Sequence, residues 1–307
     1  MGGAGGARSG GEGACESGNE ATRARHSRRR VGRGVGARGR RSHPPRRVSA
    51  RPSPRFAGVP RRPTHDARVG EKRRGPAPGD EALFGETAWP ALRTATEELS
   101  WLRGRGYAEP SAVALVGNRH QLAKRQRRAV SRAACSDAER AARQGRRVGL
   151  EALAGAALHV DGFNALITAE SVRAGAPVFL GRDGALRDLA SVHGSWRRGA
   201  RTEAALDALE AQLRVAAPAR VVWWLDAPVS NSGRLAGELR ERAEAAGLPW
   251  EVRLDPDPDA RLVALEQGVA ASADARILDG APAWVDLPAA VLAETPDAWL
   301  VDLRDGA

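Results

Sequence analysis

The chain reads as an α/β protein built on a central parallel sheet, preceded by a small helical subdomain and a disordered basic N-terminal tail. Three observations predict this. Short apolar runs alternate with helical stretches through the C-terminal half, as in a parallel sheet covered on both faces. Charge is segregated: residues 1–80 hold 20 Lys+Arg against 6 Asp+Glu, residues 81–150 hold 13 against 7, and residues 151–307 hold 15 against 24. Residues 1–80 also carry 16 of the 35 glycines and 8 of the 19 prolines, with Phe56 as their one aromatic. The division that follows is a Gly/Pro/Arg-rich tail over 1–85, a basic helical subdomain over 86–150 and an α/β domain over 151–307.

The tail cannot bury enough apolar surface to offset the ~1–2 kcal/mol per residue lost on ordering a backbone. It reads either as a basic arm for nucleic acid or as a solvated tail, including an over-extended gene start. Of the 48 basic residues all but Lys72 and Lys124 are arginine. Abundant Arg, Ala, Gly and Pro point to a GC-rich gene, so the tail is discounted as a binding signal. The net charge of +11 therefore says nothing about the acidic C-terminal half.

No apolar run approaches the ~20 residues that cross a bilayer, and no signal-peptide core opens the chain, so no membrane partner is expected. Cys15 and Cys135 are too few for a zinc cluster or a disulfide framework, and a reducing, cytoplasmic setting is expected. The oligomeric state is not legible.

In the helical subdomain, Leu92, Ala95, Leu99 and Leu102 keep the spacing of an amphipathic helix that stops near Gly104 and Gly106. Ala112 to Val116, Gln121 to Ala134 and Ala138 to Arg147 supply further helices. Tyr107 is expected to pack among them. From Ala156 the period changes. Strands are expected at Ala156–Val160, Arg220–Leu225, Trp250–Leu254 and Ala298–Val301, with helices at Thr202–Arg214, Ser232–Ala246, Pro258–Gln267 and Pro288–Glu294. Trp223 and Trp224 alternate across one strand and read as core, and His159 reads as structural.

Two of these strands end in aspartate, Asp161 and Asp226. Ligands of a parallel sheet sit outside the carboxyl ends of its strands, near the point where strand order reverses. Asp274 follows another apolar stretch, and Asp255-Pro256-Asp257-Pro258-Asp259 opens a helix. Carboxylates gathered at one edge repel unless a cation lies between them, and hard oxygen ligands suit Mg²⁺ or Mn²⁺. Each acid also has a plainer reading as a helix N-cap or turn former. Asn164 lies three residues beyond Asp161. Ser230, Ser232 and Arg234 open a helix, where a phosphate or a simple cap both fit. Arg119, Lys124, Arg125, Arg127, Arg128 and Arg132 form a basic run with no acid among them. No nucleophile-elbow pattern is present.

The set Asp161-Gly162-Phe163-Asn164, the strand ending in Asp226, and Ser272-Ala273-Asp274 resembles the PIN-like nuclease superfamily, including its NYN branch. From about Leu92 to Leu303 the chain more closely resembles domain-of-unknown-function family 434. That resemblance rests on Arg105-Gly106-Tyr107, Val116-Gly117-Asn118-Arg119-His120, Asp161-Gly162-Phe163-Asn164, Gly181-Arg182-Asp183-Gly184, Arg187-Asp188 and Pro228-Val229-Ser230-Asn231-Ser232-Gly233. The nuclease resemblance implies a PIN-like domain hydrolysing phosphodiesters, with RNA favoured over DNA. It implies Mg²⁺ or Mn²⁺ held by Asp161, Asp226 and Asp274 with Asp259, and Asn164 orienting a ligand or a water. Ser230, Ser232 and Arg234 would hold a phosphate, and Arg119, Arg125 and Arg128 would track the backbone. One departure stands out. The helical middle acid of PIN domains has no single counterpart, and Glu170, Asp183, Asp188 and Asp259 compete for it. That gap keeps open an alternative, a non-catalytic PIN-like module that binds RNA or a protein.

Overall fold

A strand that is apolar on both faces must be covered on both, and Val221-Val222-Trp223-Trp224-Leu225 is such a strand. The computed structural model, which describes residues 75–190 and 196–306, buries all five. They lie in β4 (Arg220–Asp226), which pairs in parallel with β1 (Ala157–Asp161) on one side and β5 (Trp250–Asp255) on the other. Beyond β1 come β6 (Val269–Ala271) and β7 (Trp284–Val285), also parallel, giving the order β5-β4-β1-β6-β7. Trp223 faces the main core, and Trp224 faces a smaller cluster with Leu262 and Ile277. His159 accepts a hydrogen bond from the Trp224 indole at 3.2 Å, a structural role.

The chain runs outward from β1 through β4 to β5, then returns past β1 to lay down β6 and β7. Strand order therefore reverses between β1 and β6. A crevice opens at such a point because successive connections leave on opposite sides.

α6 (Gly162–Arg173) leaves β1 directly and is buried along nearly its whole length, between the sheet, α7 (Thr202–Ala216) and α11 (Leu287–Ala293). Its close seating needs a glycine at its start. A Cβ on Gly162 would lie 2.5 Å from a Leu225 methyl and 2.9 Å from the Trp224 carbonyl oxygen. α8 (Ser232–Ala246) follows β4, α9 (Pro258–Val263) follows β5, and α10 (Ala275–Gly280) follows β6.

The expected strand at 298–301 forms as β8 (Leu300–Asp302), but not in the main sheet. It pairs in parallel with β2 (Val178–Leu180), which pairs antiparallel with β3 (Leu186–Arg187). Side chains of this small sheet point to two cores in turn. Val178 joins the α/β core, while Phe179 and Val301 join that of the helical segment.

That segment comprises α1 (Asp80–Phe84), α2 (Trp89–Arg103), α3 (Glu109–Arg119), α4 (Lys124–Ala133) and α5 (Asp137–Arg146). Its core joins Leu92, Leu99, Val116 and Val130 to Phe179, Leu189, Val301 and Leu303, so residues from beyond 150 close it. Of the expected tail, residues 1–74 lie outside the described residues. Residues 75–85 include α1, whose Phe84 is fully buried edge-on against Phe179, with ring centroids 4.9 Å apart. Among the described residues, no helix is long and apolar enough to cross a membrane.

Candidate functional site

At the reversal point, Asp161 ends β1 and is buried, with both carboxylate oxygens held. Its Oδ2 accepts the Ser272 hydroxyl at 2.8 Å and its Oδ1 accepts the Asn164 backbone N–H at 3.4 Å. Asn164 in turn accepts the Ala273 N–H at 3.0 Å through Oδ1, and the Ser272 hydroxyl accepts the Asp274 N–H at 3.0 Å. The two segments are thus tied across the crevice. Asn164 positions the loop that carries Asp274. Burial first, then the charges of Asp259 and Asp274, push the Asp161 carboxyl up to about 7 against the opposing pull of its hydrogen bonds.

Asp226, at the end of β4, is half-buried and also raised, by burial and by the Asp257 charge. Asp259 rises to about 6 through burial and the charges of Asp274 and Asp226. The rest of the Asp-Pro cluster does other work. Asp257 caps α9 by accepting the Ala260 N–H at 3.1 Å, and Asp255 accepts the Asp257 N–H at 2.9 Å. Asp274 also caps, accepting the Arg276 N–H at 2.9 Å. Asp161, Asp257 and Asp274 are therefore N-caps in fact. For Asp161 and Asp274 the cap and the sheet-edge position are the same place.

Asp161, Asp226 and Asp274 line one wall of a cleft of about 730 Å³. The facing wall comes from the helical segment and carries Arg103, Arg128 and Arg132. Arg128 is half-buried, with neither hydrogen bond nor ion pair among the described residues. Its guanidinium is lowered by burial and by neighbouring Arg132, against the pull of the Asp188 carboxylate, with a smaller push from Arg125. Of the four residues competing for the middle acid, only Asp188 lines the cleft. Its Oδ2 accepts the Thr168 hydroxyl at 2.9 Å, and Arg132 stands 3.8 Å away. Glu170 is bonded to Thr202, and Asp183 is locked between Arg143 and Arg187.

Other expected binding residues lie elsewhere. Arg119 pairs with Glu98 at 3.1 Å, and Arg125 holds buried Asp80 through two bonds of 2.8 and 2.9 Å, fastening α1. The Ser232 hydroxyl donates to the Ala227 carbonyl at 3.3 Å. Arg234 lines a separate depression with Arg198 and Glu238, and neither it nor Ser230 or Ser232 lines the acid cleft. Tyr107, expected to pack, is instead 54% exposed at the cleft. Arg103 was not legible as a site residue, because only the docking of α2 beside the sheet edge makes it one.

The donor chemistry of the acid wall suits a hard divalent cation, whose charge would relieve the mutual repulsion of Asp161, Asp259 and Asp274. Preassembly does not match that chemistry. Among the described residues, no group of three or more His, Cys, Asp or Glu side chains is placed to hold a metal ion.

Fold and crevice together define an α/β protein with a five-stranded parallel sheet and an acidic cleft at its reversal point. Residues 150–290 match a family described as Domain of unknown function (DUF5616), and residues 91–146 match Protein of unknown function (DUF434). The second match covers the helical segment alone, not the span to Leu303 that the motifs suggested. The Uncharacterized protein MJ0935 of Methanocaldococcus jannaschii is 31% identical over 162 residues, covering 53% of this chain and 77% of that protein. The chain belongs to this uncharacterised domain family. No solved structure matches it.

Proposed function

We propose that the cleft binds the phosphodiester backbone of a nucleic acid and that its acid wall supports metal-dependent hydrolysis in a PIN-like, NYN-like manner. One observation carries the reading. Arg103, Arg128 and Arg132 line the same cleft as Asp161, Asp226 and Asp274 at the sheet's reversal point, and burial with neighbouring acids raises the Asp161 carboxyl there. Arg128 and Arg132 would hold a phosphate, and Ser272 and Asn164 keep the Asp161 segment and the Asp274 loop in register. Asp161, Asp226, Asp274 and Asp259 are the residues that would hold Mg²⁺ or Mn²⁺. When bound, such an ion activates water and offsets charge developing on the phosphate. The preference for RNA over DNA rests on resemblance alone.

A second reading, a non-catalytic module that binds nucleic acid or protein, is favoured by the dispersed ligand set. Cleavage of a fluorescent single-stranded RNA with Mn²⁺ or with chelator separates the two. Hydrolysis is expected only with metal, falling by orders of magnitude in Asp161→Asn, Asp226→Asn and Asp274→Asn. Binding without metal-dependent cleavage selects the second reading.

A further inference from the structure

Two aromatic side chains of the helical segment, Trp101 and Tyr107, stand equally exposed at 54%. They are not equivalent. The Trp101 ring already carries the Arg105 guanidinium, 3.4 Å from its centroid, and it lies outside the acid cleft. Tyr107 lines that cleft, and among the described residues its ring makes no aromatic or cation–π contact and its hydroxyl no hydrogen bond. A half-exposed ring with no ring or hydroxyl partner of its own is free to take one in the cleft it lines. Its backbone, by contrast, is fixed. The turn after α2 passes through Gly106 at φ +76°, and the Tyr107 N–H donates to the Leu102 carbonyl at 3.2 Å. The ring is held out by a tight turn rather than by a wandering loop.

We infer that Tyr107 is a base-stacking residue that selects single-stranded nucleic acid, its ring taking the face of one nucleobase while Arg128 and Arg132 hold an adjoining phosphate. This deepens the reading of the cleft given above and rests on it. A flat ring beside cations suits a strand whose bases are free to splay out, because every base offers a π-face. In a duplex both faces of each base are already stacked, so paired strands cannot present a face to Tyr107. The selectivity is therefore for strandedness rather than sequence.

The test uses the full chain and a short single-stranded RNA carrying 2-aminopurine, with the matching duplex as control. Wild type is expected to quench the 2-aminopurine fluorescence and to prefer the single strand. Tyr107→Ala should lose the quench and about tenfold in affinity, while Tyr107→Phe keeps both. Arg128→Ala should weaken binding yet retain the quench at saturation. Binding weakened by Arg128→Ala, with quench and affinity unchanged in Tyr107→Ala, overturns the stacking inference alone. No RNA binding by wild type, or binding indifferent to Arg128→Ala, overturns the reading of the cleft on which the inference stands.

Discussion

Asp161 and Asp183 are buried aspartates less than 30 residues apart, and the protein treats them in opposite ways. Burial alone would raise both carboxyls. Around Asp183 that push is overcome, because Arg187 grips it at 2.7 Å through two nitrogens and Arg143 adds a third bond at 2.8 Å. Its carboxyl is held down to about 2. Around Asp161 the neighbours are a hydroxyl, an amide and other acids, and its carboxyl rises to about 7. One region fully pairs its charges. The other leaves like charges facing each other in a cleft that arginines also line.

The paired region is a structural lock. The arginines and aspartates of Gly181-Arg182-Asp183-Gly184 and Arg187 tie α5 to the small sheet and to the loop after β6. Arg187 reaches the Ala273 carbonyl at 3.0 Å, and Arg182 reaches Asp305 at 2.7 Å. Gly181 is part of this geometry, since a Cβ there would lie 2.5 Å from an Arg187 nitrogen. The lock thus fixes the loop on which Asp274 sits, and stability in one region positions chemistry in the other.

The largest expected effect comes from opening the lock. Arg187→Ala leaves Asp183 buried beside Arg143 alone and should cost about 3–5 kcal/mol, a loss on the order of 10 °C in Tm by calorimetry. A loss below about 1 kcal/mol would remove the distinction between the two regions.

The acid edge should respond with the opposite sign. Folding favours neutral Asp161, whose carboxyl titrates near 7 in the folded chain against an ordinary 3.8. Its stabilising contribution is complete below 3.8 and is lost as pH rises to about 7. Asp183 behaves in reverse, contributing above 3.8 and losing its effect as pH falls toward 2. Asp161→Asn preserves shape and removes the charge, so it should raise metal-free stability by roughly 1–3 kcal/mol above pH 7 and flatten the decline between about pH 4 and 7. Melts across that range compare the two curves. Parallel curves would contradict the placement of Asp161 among repelling acids.

The two regions also differ in how far the sequence discloses them. β1 and β4 were legible because apolar runs ending in aspartate mark strand exits, β5 as a further short run between helical stretches, and α8 because its helical stretch has the bounds expected. α6 was not, since a helix buried on every side has no amphipathic period. β6 and β7, three and two residues long, fall below any pattern length. The apolar run at 298–301 disclosed a strand but not its partner, because pairing is decided by tertiary packing. Asp161 and Asp274 were legible from chain position. Asp188 stood only among several competitors, and Arg103 not at all, because their place in the cleft comes from how the helical segment docks. The basic run of α4 did not separate Arg128, which lines the cleft, from Arg125, which fastens α1.

On the proposed reading of the cleft, the acid edge takes up a cation and the lock does not. Thermal melts of wild type and Asp161→Asn, with and without Mn²⁺ at pH 8, test it most directly. An ion that binds only the folded state stabilises by RT ln(1 + [Mn²⁺]/Kd), about 2.7 kcal/mol at a hundredfold excess over Kd. Wild type is expected to gain Tm with Mn²⁺ and Asp161→Asn to gain little or nothing. An identical metal shift in both proteins, or none in wild type, would contradict the account.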